Sequence, residues 1–503
     1  MTPYEELIAH TRETYLLAAT GELLQWDQET MLPPGGISHR SRQLGQIAGL
    51  VHEHATTPRL GELIAASEAI RELTADPASD SAVNLRELRR DYDRATKIPA
   101  ALAREKAEVA ATAQHAWVEA REKSDFSLFR PYLEKNLELA RKTAECYGWP
   151  ADGEPWDALA EDFEPGMTAA GVSRVFVPLR ESLRKLLAEL MAGGRRPPRP
   201  FEQIVMPLAA QQSFVRHVAE RIGFDFSRGR LDTSAHPFCS GHDPGDIRLT
   251  TRYRDNRVDD ALSSVMHEAG HGMYHQGLRP DHAGTPLGQP ASLGINESQS
   301  RTWENQVGRS EPFWRWCRAE LPAFFGDAAA GLSVEDIYAG VNVVGPSLIR
   351  VEADEVTYNL HIMVRFELER ALMAGDLDAA DLPAEWNRRY KEYLDVVVPN
   401  DAQGCMQDVH WSMGAFGYFP TYTLGNLYAA QFFEKASADL PGLTDAFAAG
   451  DFSGLKRWLN QNIHAHGNRY RPADLCERVT GKPLSPEPLL NYLAAKLKPL
   501  YKA

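Results

Sequence analysis

Hydrophobic positions recur at helical spacing along most of the chain. After Thr168, which can cap a helix, Val172, Val175, Phe176, Leu179, Leu183, Leu186, Leu187 and Leu190 form one stripe. Pro178 falls inside this run and predicts a kink or a later start. From about Ala82 to Ser124 the chain is rich in Ala, Arg and Glu and breaks at Pro99, which predicts two long charged helices. Phe129 to Cys146 predicts another, closed by Gly148 and Pro150. Strand patterning is scarce. Its best instance sets Ile247, Leu249, Thr251 and Tyr253 against Asp246, Arg248, Thr250 and Arg252, after the turn-rich stretch 236–245. No helix or central strand can cross Gly193-Gly-Arg-Arg-Pro-Pro-Arg-Pro200, which marks a lobe boundary between residues 1–200 and 201–503. The expected architecture is mostly α-helical, with two helical lobes and one small sheet.

Composition narrows the class. A chain of 503 residues with 43% hydrophobic and 24% charged side chains can bury a large core, which excludes a disordered or disulfide-stapled protein. The formal net charge of −15 argues against nucleic acid or an anionic membrane as the main partner. Five scattered cysteines form no C-x-x-C pair and suit a reducing compartment. The stretch Met1-Thr-Pro-Tyr-Glu-Glu has neither the basic start nor the apolar run of a signal peptide, and no apolar run reaches membrane-spanning length. A cytoplasmic location is expected.

The segment from Val258 to Gly277 changes the picture. Leu262, Val265, Met266, Ala269 and Met273 make an apolar helix face that ends near Gly277. On this helix lies His267-Glu-Ala-Gly-His271. Two imidazoles four residues apart project from one face, the geometry that grips a tetrahedral zinc ion. Glu268 follows the first histidine, where it can take the proton of an attacking water. His275 continues the spacing, but pairing it with His271 would leave Gly272 at the base position, so it reads as an ordinary polar residue. A third ligand must come from elsewhere. Asp281, Glu297, Glu304 and Glu311 are the downstream carboxylates, and Glu297, Arg301 and Glu304 fall along one side of a helix opening near Ile295. Spacing does not choose between Glu297 and Glu304.

Further motifs occur in order: His236-Pro-Phe238, Asp246-Ile-Arg-Leu-Thr250, Glu297-Ser-Gln299, Ile349-Arg-Val-Glu-Ala-Asp354 and Gly404-Cys-Met-Gln-Asp-Val-His-Trp411. With the zinc motif, Leu24-Gln-Trp-Asp-Gln-Glu-Thr-Met31 and Thr480-Gly-Lys-Pro, the series spans nearly the whole chain. The sequence resembles the thermostable-carboxypeptidase family of zinc metallopeptidases, the carboxypeptidase Taq type. The resemblance implies a mostly α fold with a deep groove between two lobes, a gluzincin-like active site and one continuous catalytic unit. It also implies His267, His271 and Glu297 as zinc ligands, with Glu268 as general base and later proton donor to the leaving amine. Asn296 stands where the family pattern places His, which leaves open the contact made to the site there, and Asn is also a residue able to cap the Glu297 helix.

A carboxypeptidase must recognise a free C-terminal carboxylate, and arginine's planar fork suits it. Arg350 and Arg248 are the candidates, each with a structural alternative in an ion pair to Glu352, Asp354 or Asp246. The oxyanion needs donors besides the metal. By analogy with related zincins such as angiotensin-converting enzyme, these are His410 and Tyr422, with Tyr418 helping to hold the carboxylate. The alternating strand offers an edge on which an extended peptide can pair, with His236 touching substrate nearby.

The expected function is removal of single C-terminal residues from peptides by a zinc enzyme, with Co2+ or Mn2+ as possible substitutes, acting as a homodimer on peptides with a free C-terminus. A zinc oligopeptidase or peptidyl-dipeptidase would share the same motif, and the product masses from one short peptide separate these readings. A non-enzymatic helical module with structural zinc would instead carry four protein ligands and no base.

Overall fold

The computed structural model describes residues 1–502. Helices dominate, and most begin and end where local chemistry demands. The charged pair falls at Asp80–Lys97 and Ala100–Lys123, split by Pro99, and the next helix, Phe126–Tyr147, stops at Gly148 with φ +77°. Thr168 caps Ala169–Ala192 by accepting from the Gly171 amide. That helix runs through Pro178 without a late start. Pro178 lies on the exposed face, where water can serve the carbonyl that loses its amide partner.

The single small sheet among the described residues has the order β1-β3-β2, from β1 (Gly229–Thr233), β2 (Cys239–Asp243) and β3 (Asp246–Thr251). Two expectations change here. The stretch 236–245 is not all turn: it holds β2, which pairs antiparallel with β3 around Pro244-Gly245. The alternating strand is also not an edge, because β1 pairs with it in parallel on its other side. Peptide pairing along β3 is therefore closed, and the free edges belong to β1 and β2. Ile247 and Leu249 are buried on β3, packed against the helix that carries the two histidines.

That helix spans Val258–Gly277 and buries its expected apolar residues Leu262, Val265, Met266, Ala269 and Met273. One apolar core runs from Ala113 to Tyr501 across the 193–200 loop. A separate small cluster gathers Leu7, Leu60, Leu63, Ile64, Leu85 and Leu88. The long first helix, Pro3–Thr30, buries little beyond Leu7 and Trp26. Among the described residues no helix is long and apolar enough to cross a membrane.

Candidate metal centre

Three helices build the centre. The histidines come from Val258–Gly277, Glu297 from Leu293–Arg301, and the helix Pro420–Asp439 backs the second of these. Glycines set the spacing. A Cβ at Gly270 would lie 2.5 Å from the Gln299 carbonyl oxygen and 2.6 Å from Ser300 Cα. A Cβ at Gly425 would lie 2.5 Å from Glu297 Cγ. The Glu297 helix is therefore held between two neighbours that can approach only where a side chain is missing.

The result is one convergent set. His267 Nε2 and His271 Nε2 lie 3.3 Å apart, and Glu297 Oε2 lies 3.7 Å and 3.5 Å from them. Zn–N and Zn–O bonds of about 2.0–2.2 Å at tetrahedral angles separate ligand atoms by roughly 3.4 Å, so the three atoms fit around one ion. They form the only such His/Cys/Asp/Glu cluster among the described residues.

The far sides of the imidazoles are also fixed. His267 Nδ1 lies 2.8 Å from Glu304 Oε2, and His271 Nδ1 lies 3.0 Å from Asn296 Oδ1. These oxygens can only accept, so each Nδ1 carries the proton and each Nε2 lone pair faces the cluster. Glu304 thus orients a histidine and does not join the ligand atoms. Asn296 is not the helix cap, since Ser292 Oγ accepts from the Ile295 amide and fills that role. Its amide oxygen instead makes the contact to His271. Glu304 lies in a wide π turn, Thr302–Val307, that continues the Glu297 helix.

Arg301 joins the two carboxylates, donating to Glu297 Oε1 at 2.7 Å and to Glu304 Oε2 at 2.9 Å. Burial alone would raise the Glu297 pKa, but the Arg301 charge and the two histidines hold it well below the usual carboxylate range. Glu268 is buried and feels the opposite balance: burial pushes its carboxyl above the ordinary value, against the pull of His267 and His271. Asp281 pairs with Arg279 and Glu311 with Arg315, both outside the cluster.

A second group gathers near Glu297. His410 Nε2 lies 3.3 Å from the Tyr422 hydroxyl, and the His410 ring lies 5.1 Å from that of Tyr418. Burial lowers the His410 pKa to about 4 although Asp408 opposes the shift, so the imidazole is neutral near pH 7. Arg350 is buried, but its partner is none of Glu352, Asp354 and Asp246. Its Nε and Nη2 donate to Asp408 Oδ1 at 2.9 Å and 2.7 Å, and Nη1 donates to the Tyr358 hydroxyl at 3.0 Å. Arg365 takes the other Asp408 oxygen at 2.6 Å. Asp408 stands in the Gln-Asp-Val-His motif, but nothing in its spacing tied it to Arg350. Tyr358, whose ring lies under Arg301 and edge-on to Tyr422, carried no sequence signal.

The remaining candidates lie on the sheet. Arg248 donates to both oxygens of Asp246, with its guanidinium 4.4 Å from the Trp26 ring centre. Arg230, its neighbour across β1 and β3, covers Trp26 at 4.8 Å. His236 is exposed on the loop before β2.

Comparison with known proteins agrees with this site. Residues 6–497 match the family model described as carboxypeptidase Taq (M32) metallopeptidase. The chain is 47% identical to thermostable carboxypeptidase 1 of Thermus thermophilus over the full length of both. It is 37% identical to carboxypeptidase 1 of Bacillus subtilis, covering 95% of each. The crystal structure of the M32 carboxypeptidase from Deinococcus radiodurans R1 superposes with a TM-score of 0.96 at 41% identity, covering 100% of both chains.

Proposed function

Because the chain belongs to the carboxypeptidase Taq (M32) family of metallopeptidases and is a metallocarboxypeptidase, we propose that it removes C-terminal residues one at a time from peptides at the His267–His271–Glu297 centre. The observation that carries this reading is the convergence of two Nε2 atoms and one Oε2 at tetrahedral spacing. The family requires a divalent metal, and a two-imidazole, one-carboxylate set favours zinc, with Co2+ or Mn2+ as substitutes. When bound, such an ion supplies Lewis acidity for the scissile carbonyl and for water.

The residues divide the remaining work. Glu268, buried and with a raised pKa, takes the proton of the attacking water and delivers it to the leaving amine. The Tyr422 hydroxyl, with neutral His410 beside it, donates to the developing oxyanion. Arg350 binds the terminal carboxylate. A guanidinium has five N–H donors, and Asp408 and Tyr358 use three of Arg350's. One on each Nη is left, the pair that matches a carboxylate. The Arg350–Asp408–Arg365 cluster also carries two cations against one anion, a balance that an incoming carboxylate completes. We assign the carboxylate to Arg350 in preference to Arg248, whose fork Asp246 already fills, and give Tyr418 and His236 supporting contacts to substrate.

In this reading residues 1–200 wall one side of the groove and residues 201–503 carry the metal. The working form is a homodimer, for which light scattering should report twice the chain mass. Glu268→Gln tests the chemistry. The variant should bind metal like the parent yet lose turnover by about a hundred- to ten-thousandfold, the range that a general base contributes. Normal turnover by that variant would sink the mechanism.

A further inference from the structure

The Glu297 helix is pinned at its start by a buried carboxylate from far along the chain. Glu164 lies just after the short helix Pro155–Ala160 and is 2% exposed. Its Oε2 accepts from the Gly294 amide at 2.9 Å, and the preceding carbonyl, Phe163 O, accepts from Leu293 at 3.1 Å. With Ser292 Oγ taking Ile295, all three amides that open the helix are satisfied. Glu297 follows Gly294 by three residues, just under one helical turn. The contact is tight: a Cβ at Gly294 would lie 2.5 Å from Glu164 Oε2. Glu164 Oε1 and the Tyr428 hydroxyl are both buried, and the Glu164 carboxyl interacts with Tyr428 and with Ser292. Tyr428 lies on Pro420–Asp439, the same helix that receives Glu297 at Gly425. Phe163 meets the Tyr418 ring edge-on at 5.1 Å.

We infer that Glu164 is a positioning residue for the metal centre: by holding the first turn of the Glu297 helix it sets where Glu297 Oε2 stands relative to the two histidines. This rests on Glu297 being a ligand. Without Glu164 the Gly294 amide is left buried and unsatisfied, and the helix must move to find another partner. A metal tolerates ligand displacements of only about 0.2 Å, so a small shift is felt first as lost affinity.

The test measures Zn2+ and Co2+ dissociation constants by competition with a chromophoric chelator, together with the visible spectrum of the Co2+ form. Glu164→Ala should weaken metal binding by about 10–100-fold, the usual effect of losing a partner that orients a ligand. Glu164→Gln, which keeps an accepting oxygen, should stay within about threefold of the parent. Gly294→Ala presses on the same contact from the other side. It should weaken binding and alter the Co2+ bands even though alanine is the better helix former. It also decides the matter should Glu164→Ala fail to fold. Parent-like affinity in Gly294→Ala or Glu164→Ala overturns the inference, as does an equal loss in Glu164→Gln. Glu297→Gln is the control. If it weakens binding while the other variants do not, only the role of Glu164 falls; if it leaves affinity intact, the ligand assignment falls and the inference with it.

Discussion

Replacing Arg350 by methionine separates carboxylate recognition from the rest of the site. The change keeps most of the apolar stem and removes the fork. It leaves no orphaned anion, because Asp408 retains Arg365 at 2.6 Å, and the buried cluster goes from two cations and one anion to one of each. The fold should therefore survive. What is lost is the pair of donors left after Asp408 and Tyr358 take three. Removing one partner of a buried, hydrogen-bonded charge pair costs about 3–5 kcal/mol, which is roughly 150- to 5,000-fold in kcat/KM. The assay compares a short peptide with a free C-terminus against the same peptide amidated. The parent should prefer the free acid strongly, and Arg350→Met should fall on the acid towards the rate on the amide. Tyr422 packs under the Arg350 guanidinium, so part of any fall in kcat could come from a displaced hydroxyl. The ratio of acid to amide cancels that part. If the ratio stays within about fivefold of the parent, Arg350 does not read the carboxylate and its two remaining donors serve another partner.

Other outcomes follow from the same geometry. Gly270→Ala places a methyl 2.5 Å from the Gln299 carbonyl, a backbone atom that cannot swing away, so the Glu297 helix must retreat. Chelator competition should show metal affinity reduced tenfold or more, and overpacking of about 1–3 kcal/mol should outweigh the helix-propensity gain in urea unfolding of the apo protein. Asp408→Asn leaves Arg350 and Arg365 buried without an anion and should destabilise the metal-free protein by about 3–5 kcal/mol, read as a lower urea midpoint. His464 is buried between Asn460 and Gln299, and burial lowers its pKa to about 3. The unfolded chain takes up a proton at this residue near pH 6.5 that the fold refuses until about pH 3, so its contribution to stability is complete above pH 6.5 and is lost as the pH falls towards 3. Urea midpoints of parent and His464→Gln should therefore converge between pH 7 and pH 4; parallel curves would contradict the shift.

Much of this protein can be read from local pattern. Helix boundaries at Pro99, Gly148 and Thr168 depend on residues within a turn of the break, and the apolar face of Val258–Gly277 repeats every three or four residues. The histidine pair and its glutamate are likewise set by spacing on one helix, and an ordered series of motifs marks the family. Pro178 shows the limit of local rules, because its effect depended on which face of the helix met water.

What the sequence left open needed two distant segments to meet. Glu297 and Glu304 share one side of a helix, and the chain's spacing treats them alike. They separate only when Gly270 and Gly425 let that helix settle between two others, with Oε2 of Glu297 towards both Nε2 atoms and Glu304 behind His267. The pairing of Arg350 with Asp408, the central place of β3 and the grip of Glu164 on Gly294 are of the same kind. Periodicity and spacing report which residues share a face over a few turns. Which atoms become neighbours across tens to more than a hundred residues is decided by packing, where a missing Cβ or one buried carboxylate sets the distance.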